Sequence, residues 1–258
     1  MPGCIQVRTE SQVARVTIDN ARKLNTLNGA LMDEFVRVVQ ALASGDRLRA
    51  VVLSGAGEKA FIGGADIDEM SQLDESTAEA FIKRLHRCCE ALRDLPVPVI
   101  ARIQGYALGG GLEIAAACDL RIASETAIFG MPEVKLGIPS VIEAALLPAL
   151  VGWGRAREIL LLGENFSATD AGKWGLVERV VPAAELDSAV DRCVAAILQN
   201  GREALRLQKK LIRAWEDLPM REAIDAGIAA FVESWRTDEP SQRMRDFLAR
   251  RKSASSRS

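Results

Sequence analysis

The chain has 258 residues, 48% of them hydrophobic and 26% charged, which suffices for one large domain with a substantial buried core. The formal net charge of −2 gives no overall field that would attract nucleic acid or an anionic membrane surface. No apolar stretch approaches the ~20 residues of a membrane-spanning helix, so we expect neither nucleic acid nor a membrane as a partner.

The scarcity of histidine limits the chemistry that this chain can support. His86 is the single histidine, and it lies in a helix-like stretch of mixed charge where a surface or interface role is expected. A Ser-His-Asp triad, a Cys-His dyad and a histidine-based metal cluster are therefore disfavoured, and no metal site is predicted. Proton transfer would have to rest mainly on carboxylates, lysine, tyrosine or the backbone.

The five cysteines are odd in number and show no paired spacing, so we expect reduced, buried thiols. The N-terminus does not show a charged segment followed by an apolar one, which is the pattern of a secretory signal. Both features predict a cytoplasmic location.

Strands and helices alternate along the first half of the chain. Alternating apolar residues predict two strands at the start, and Asn28 is expected to cap the first helix. The predicted elements are strands over 5–8 and 13–18, a helix over 28–43, a strand over 50–54, a helix over 74–94, a strand over 97–103, a helix over 112–117, and strands over 120–123 and 127–129. This alternation predicts an α/β domain with an at least partly parallel sheet.

The chain becomes nearly all helical after Pro139. One more strand is predicted over 177–181, and only amphipathic helices follow from about Leu198. We therefore expect residues 1–197 to form the core that carries the active site. Residues 198–258 are expected to form a C-terminal helical region for oligomer contacts, with a disordered basic, serine-rich tail over about 252–258.

The segment Gly109-Gly-Gly-Leu-Glu113 joins a predicted strand to a predicted helix. Glycines let another group approach the backbone closely, and a first helical turn leaves N–H groups unpaired at the positive end of the dipole. These features favour an oxyanion or a phosphate. No Lys-Ser or Lys-Thr follows the glycines, as a phosphate-binding P-loop would require. From spacing alone, Glu113 is best explained as a helix-capping carboxylate.

Two further segments add to this candidate site. Glu133 follows a proline after a short strand; it has a plain explanation as a helix-entry residue, but beside Glu113 it would be placed for paired acid–base work. Burial between apolar walls would raise the pKa values of both carboxyls. The loop over 60–67 offers a second backbone N–H, as an oxyanion hole needs, and Asp66 is expected to cap the short helix that follows.

Together these segments resemble the crotonase family, the enoyl-CoA hydratase/isomerase superfamily. The motifs occur in the order typical of the family, and the resemblance covers roughly residues 5–250. The matching strings are AFIGGADI at 60–67, IQGYALGGGLEI at 103–114, ACDLRIA at 117–123 and FGMPE at 129–133, with supporting matches LNTLN at 24–28 and AGKWGLV at 171–177.

The resemblance implies repeated ββα units stacked into a spiral, followed by C-terminal helices used in trimer contacts, so a homotrimer or a dimer of trimers is expected. It implies that the backbone N–H groups of Ala65 and Gly110 form an oxyanion hole and that Glu113 and Glu133 are the catalytic carboxylates. The residues implied in binding the acyl-CoA are Lys23, Leu24, Ile62, Gly63, Gly64, Asp66, Ile67, Gly109 and Ser140.

The implied reaction is hydration of a 2-enoyl-CoA to a 3-hydroxyacyl-CoA. No separate cofactor is expected, since coenzyme A enters as part of the substrate. Alternatives within the family are an isomerase, a decarboxylase, or a hydratase-lyase that acts on a branched or aromatic acyl-CoA. An alternative of another class is a non-catalytic module that binds acyl-CoA, protein or RNA.

One segment departs from the family pattern. Many hydratases continue, after the proline that follows the second glutamate, with a segment like GAGGT, whereas this chain has PSVIEAA over 139–145. Ser140 then stands where a glycine would touch the catalytic water, and Glu143 adds a third acidic group. Two interpretations of Glu143 stay open at this point, a solvated helix residue and a pocket residue, and the acyl group of the substrate is not determined by the motifs.

Overall fold

The structure, a computed structural model, describes residues 3–255. None of the helices within these residues is long and apolar enough to cross a membrane. Contacts divide the chain into two compact units, residues 1–194 and residues 195–258. The division falls close to the boundary that the sequence predicts after residue 197.

The first unit is built on two sheets. The strands are β1 (Cys4–Glu10), β2 (Val13–Asp19), β3 (Ala50–Gly55), β4 (Ala60–Ile62), β5 (Val99–Ile103), β6 (Tyr106–Leu108), β7 (Leu120–Ser124), β8 (Ile128–Gly130), β9 (Asn165–Ser167) and β10 (Arg179–Val181). One sheet has the order β1-β2-β3-β5-β7-β10, and the other has the order β4-β6-β8-β9. Only β1 with β2 and β8 with β9 pair antiparallel; the other neighbours are parallel.

The helices of the first half of the chain follow pairs of strands, and those near the C-terminus follow one another. The helices are α1 (Gly29–Ala43), α2 (Ile67–Met70), α3 (Glu75–Asp94), α4 (Gly110–Ala117), α5 (Leu147–Leu162), α6 (Ala168–Lys173), α7 (Leu186–Gln199), α8 (Arg202–Asp217), α9 (Met220–Ser234) and α10 (Glu239–Ser255). Single 3-10 turns cover Pro132–Leu136 and Ile142–Leu146. The second unit is entirely helical where the structure describes it.

The chain alternates between the two sheets. Strands β3, β5 and β7 belong to the larger sheet, and each is followed by a strand of the smaller one, β4, β6 and β8 respectively. Helices α2 and α3 follow the first of these pairs, and α4 follows the second. The expected arrangement of repeated ββα units is therefore confirmed. It brings the segments that follow β4, β6 and β8 to the same region of the unit.

Local signals account for the helix boundaries. The Asn28 side chain accepts a hydrogen bond from the Leu31 N–H at 2.9 Å, so the predicted cap of α1 is confirmed. The Asp74 side chain caps α3 by accepting from the N–H groups of Ser76 and Thr77, and the Thr77 hydroxyl oxygen accepts from the Asp74 N–H. This reciprocal capping box begins the helix where the sequence predicts it.

The core lies against the parallel strands. Strand β3 is buried along nearly its whole length, as its continuous apolar sequence predicts for a strand covered on both faces. Phe35 of α1, Phe61 of β4 and Phe129 of β8 are almost completely buried, and they belong to one hydrophobic cluster. This packing fixes the strand ends from which the candidate site is built.

Several boundaries differ from the sequence predictions. Strand β9 was not predicted, because its three residues carry no apolar alternation and are held by pairing with β8. Helix α4 begins at Gly110 rather than at Leu112, and the last strand covers only the end of the predicted 177–181 segment. The tail predicted to be disordered from about residue 252 continues as helix α10 through Ser255, while residues 256–258 lie outside the described residues.

Candidate active site

The two predicted oxyanion-hole residues lie on the wall of one cavity. Ala65 follows β4, and Gly110 begins α4, separated from the end of β6 by Gly109 alone. Gly64 packs closely on the end of β6, since a Cβ placed on it would lie 3.1 Å from the Leu108 carbonyl oxygen. The first N–H groups of a helix have no acceptor within that helix, so the start of α4 presents free donors and the positive end of its dipole. The geometry is suited to an oxyanion.

The cavity has a volume of about 650 Å³ and mostly apolar walls. Glu113 and Glu133 both line it, together with Ala65 and Gly110. Its apolar wall includes Met70, Leu73, Phe81, Ile82, Leu85 and Val141. Two carboxyls and the backbone donors therefore line the same apolar cavity. A hydrocarbon chain bound there would pack against many apolar side chains.

Glu113 lies on the first turn of α4 and is only 4% exposed. Its Oε1 accepts a hydrogen bond from the Ala144 N–H at 3.0 Å. Burial raises the pKa of Glu113 to about 8; the Ala144 N–H opposes this shift, and the charges of Glu133 and Glu143 add to it. The helix-capping interpretation does not account for this environment, because the carboxyl accepts from Ala144, which lies outside the helix.

Glu133 lies in the 3-10 turn after β8 and is partly buried. The Ser140 hydroxyl donates to its Oε2 at 2.9 Å. Its Oε1 lies against Gly109, where an added Cβ would come within 2.4 Å of that oxygen. Burial raises the pKa of Glu133, while its own backbone N–H and Ser140 oppose the rise. Both carboxyls thus have raised pKa values, as expected from the sequence.

The segment that departs from the family pattern holds both glutamates. Ser140 contacts Glu133, and Ala144 contacts Glu113. Glu143 is 7% exposed, so its interpretation as a solvated helix residue is wrong. Its Oε1 lies 2.9 Å from Nδ1 of the half-exposed His86. His86 was expected only at a surface or interface, and sequence reasoning missed this contact because 57 positions separate the partners.

The residues implied in coenzyme A binding lie around the same loops, but not all of them reach the cavity. Those that line it are Gly63, Gly64, Ile67 and Gly109. Leu24 accepts a hydrogen bond from the Gly63 N–H at 2.8 Å, which joins the 23–24 segment to the glycine loop. Ile62 is completely buried, so its side chain is not available to a ligand.

Lys23 and Asp66 form an ion pair beside this loop. The Lys23 ammonium lies 3.0 Å from Asp66 and 2.8 Å from Asp68. Asp66 also accepts from the N–H groups of Asp68 and Glu69, so the predicted cap of α2 is confirmed. The ammonium is half-exposed, and a ligand phosphate that approached it would compete with two carboxylates.

Comparison with known proteins agrees with this geometry. The family described as enoyl-CoA hydratase/isomerase matches residues 8–256. The chain is 37% identical to a short-chain-enoyl-CoA hydratase of Clostridium acetobutylicum over 94% of each chain, and 33% identical to a crotonyl-CoA hydratase of Syntrophomonas wolfei over 96% of each. It resembles the crystal structure of an enoyl-CoA hydratase from Bacillus anthracis with a TM-score of 0.91 and 33% identity, over 95% of this chain and 96% of that one. The chain therefore belongs to the enoyl-CoA hydratase/isomerase family of the crotonase superfamily.

Proposed function

We propose that this protein hydrates a 2-enoyl-CoA to a 3-hydroxyacyl-CoA. The observation that carries the proposal is that Glu113 and Glu133 face one apolar cavity together with the backbone donors at Ala65 and Gly110. The similarity to a short-chain-enoyl-CoA hydratase and to a crotonyl-CoA hydratase supports the same reaction.

The chemistry follows from the roles of these groups. Addition to C3 of the conjugated thioester builds negative charge on the thioester oxygen, where two N–H donors would stabilise it. The water oxygen bonds to C3, its proton passes to Glu113, and the proton on Glu133 passes to C2. One proton then returns from Glu113 to Glu133 before the next turnover. The active enzyme therefore holds a single proton on the glutamate pair. Because the pKa of Glu113 is the more strongly raised, this proton rests mainly on Glu113 and must pass to Glu133 before it is delivered to C2.

The pH profile follows from this single shared proton. Coupled carboxyls titrate in two macroscopic steps, and activity requires the state between them. We expect a bell-shaped dependence of kcat/KM, with an acidic limb set by the raised pKa of Glu133 and an alkaline limb near pH 8 set by Glu113. Activity is lost below the first limb because both carboxyls are protonated, and above the second because neither is.

The decisive experiment follows the absorbance of the conjugated thioester with crotonyl-CoA as substrate. Glu113→Gln and Glu133→Gln are each expected to lower kcat by about 10²- to 10⁴-fold, because each removes one proton-transfer group. Glu90→Gln, on the exposed face of α3, is the matched control and keeps its activity. Near-normal turnover in either active-site variant would refute the paired assignment, and absence of hydration of any short or medium 2-enoyl-CoA would refute the function.

The same oxyanion hole and carboxyls would also serve a family isomerase, which moves a proton between C2 and C4. Incubation with a 3-enoyl-CoA distinguishes the two reactions, since an isomerase forms the conjugated thioester from it. For the hydratase we expect loss of conjugation from 2-enoyl-CoA to be the faster reaction. Rapid appearance of conjugation without hydration would assign the isomerase instead.

We propose further that the protein assembles as a trimer or a dimer of trimers and works in the cytoplasm. The apolar surface of α8 and α9, with Trp215, Met220, Ile224, Ile228 and Phe231, supports assembly. The cysteines are all free thiols, which is usual in a reducing compartment. Mass measurement in solution by light scattering tests the assembly, and a monomer would contradict it.

A further inference from the structure

The turn that precedes Glu143 has a strained backbone. Ile142 has a φ of +39°, a region that β-branched residues rarely adopt. Such strain persists only where surrounding contacts determine the conformation. The two residues that follow, Glu143 and Ala144, are both buried. The strained position therefore turns a carboxyl and a backbone N–H into the protein interior.

Glu143 has His86 as a hydrogen-bond partner on one oxygen, lies beside the Cys89 thiol, and leaves its other oxygen unsatisfied. Its Oε1 lies 2.9 Å from His86 Nδ1, while its Oε2 is buried and has no hydrogen-bond partner among the described residues. Leaving a buried carboxyl oxygen unpaired costs free energy, and an apolar residue of similar size would avoid that cost. The arrangement therefore contributes little to stability, and its position beside Glu113 favours a role in the chemistry.

Glu143 lies next to Glu113 without entering the cavity. The residue that follows it, Ala144, donates to Glu113, and the charge of Glu143 is one of the factors that raise the pKa of Glu113. Glu143 is not one of the described residues that line the cavity. It is therefore placed to act on Glu113 and not on the substrate.

The other titratable groups around Glu113 do not replace this influence. Glu133 faces it from the turn after β8, and Cys89 faces it from α3. Burial raises the pKa of Cys89 well above its usual range, with further contributions from Glu143 and Glu113, and burial raises that of Cys88 to about 12. Both thiols are neutral at physiological pH, so the charges that act on Glu113 are those of Glu133 and Glu143.

We propose that Glu143, held by His86, is a positioning residue for Glu113, which it orients through the Ala144 N–H and influences through its own negative charge. The proposal rests on the proposed function, because it concerns the proton-accepting glutamate of that reaction. His86 anchors the 142–146 turn from α3, and the turn delivers the Ala144 N–H to the Glu113 carboxyl. The negative charge of Glu143 disfavours ionisation of Glu113 and so raises its pKa. The Glu113 carboxylate is therefore a stronger base.

Two substitutions separate charge from position. Glu143→Gln keeps the size of the side chain and an acceptor for His86 but removes the charge. We expect kcat at the optimum to stay within a few-fold, and the alkaline limb of kcat/KM to move to lower pH, because the pKa of Glu113 falls without the neighbouring charge. Glu143→Ala removes both the charge and the acceptor for His86. We expect kcat to fall about tenfold to a hundredfold, with KM nearly unchanged.

A further variant tests the anchor. His86→Phe fills the space but gives Glu143 no hydrogen bond, and we expect it to lower kcat about as much as Glu143→Ala, with the far-ultraviolet circular dichroism unchanged. If Glu143→Ala does not fold, His86→Phe and Glu143→Gln still decide the question. The positioning role is supported if kcat is nearly kept in Glu143→Gln but lost in Glu143→Ala, and if the alkaline limb of kcat/KM in Glu143→Gln lies at lower pH. An unchanged pH profile in Glu143→Gln overturns it, as does full activity in His86→Phe.

A measurement without substrate separates this proposal from the proposed function. Carboxyl ¹³C NMR titration, with the Glu113 signal assigned from Glu113→Gln, reports the pKa of Glu113 directly. We expect that pKa to be lower in Glu143→Gln than in the natural chain. If the pKa shifts but no enoyl-CoA is hydrated, the hydratase assignment fails while the positioning role stands. If hydration is observed and the pKa does not shift, the positioning role fails alone.

Discussion

Glu113 and Glu133 face one cavity, but their surroundings differ. Glu113 is almost fully buried and accepts from one backbone N–H, whereas Glu133 is more exposed and accepts from the Ser140 hydroxyl. The pKa of Glu113 is raised to about 8, and that of Glu133 is raised as well. The glutamate assigned as the proton acceptor is thus the more deeply buried of the two, and its raised pKa makes it a stronger base than a solvated carboxylate.

Ser140 provides a prediction at this scale. Its hydroxyl favours the ionised form of Glu133, so Ser140→Ala raises the pKa of Glu133 further. The acidic limb of kcat/KM marks protonation of the second carboxyl, and we expect that limb to move to higher pH while the alkaline limb stays in place. The measurement is the pH dependence of kcat/KM with crotonyl-CoA as the substrate.

The control for this substitution is Ser188→Ala. It removes an exposed hydroxyl that donates to the Glu185 carbonyl and accepts from Arg192, and Ser188 does not line the cavity. An acidic limb at the same pH in Ser140→Ala and in the natural chain would show that the hydroxyl has no influence on Glu133.

At the scale of elements, the connection from β6 to α4 shapes the site. Gly109 has φ +51° and ψ −125°, a conformation that only glycine adopts readily, and its Cα lies against the Glu133 carboxyl. The next residue, Gly110, begins α4 and provides the predicted oxyanion donor. One turn thus positions a backbone donor and leaves room for a carboxyl.

Gly109→Ala tests this turn. The added methyl would lie 2.4 Å from Glu133 Oε1, so the carboxyl must move, and we expect kcat to fall about 10²-fold. The backbone strain alone should lower the free energy of unfolding by about 1–3 kcal/mol. Chemical denaturation and crotonyl-CoA kinetics measure the two effects separately.

Gly152→Ala is the matched control, because Gly152 also has a glycine-only conformation, φ +76° and ψ 155°, but no neighbour within 4 Å of an added Cβ. We expect a similar loss of stability with unchanged kcat. Equal activities in the two variants would contradict the placement of Glu133 against Gly109.

At the scale of the whole molecule, Arg121 joins segments that are distant in sequence. Its side chain is 4% exposed, and its guanidinium donates to the carbonyls of Ala115, Ala116 and Cys118 at the end of α4 and to that of Leu176. It also forms an ion pair with Glu178. One cation thus satisfies the last carbonyls of the helix that carries Glu113.

We expect Arg121→Met to lower the free energy of unfolding by about 2–4 kcal/mol, because buried carbonyls lose charge-assisted hydrogen bonds. Denaturant unfolding measures the change. Arg8→Met is the control, since its ion pair with Glu10 is exposed and should contribute almost nothing. Equal midpoints for the two variants would show that the Arg121 contacts are not stabilising.

Much of the fold was predictable because its signals are local. The caps at Asn28 and Asp74, the apolar run of β3 and the glycines at the start of α4 each act within a few residues. Helices α1 and α3 and strand β3 lie where the sequence predicts them, and α4 begins two residues earlier than predicted. Strand β9 was missed because pairing with β8 stabilises it, and no pattern in its own three residues does so.

The sequence by itself determined the alternation of strands and helices, the glycine segments and the positions of the two glutamates, and its motifs carried the resemblance that implies ββα units. Only the tertiary structure decided how Glu113 is surrounded. Its donor, Ala144, lies 31 positions away, and the partner of Glu143 lies 57 positions away. Burial depends on which distant segments cover a side chain, so the same glutamate can be solvated or enclosed without any change in its local sequence.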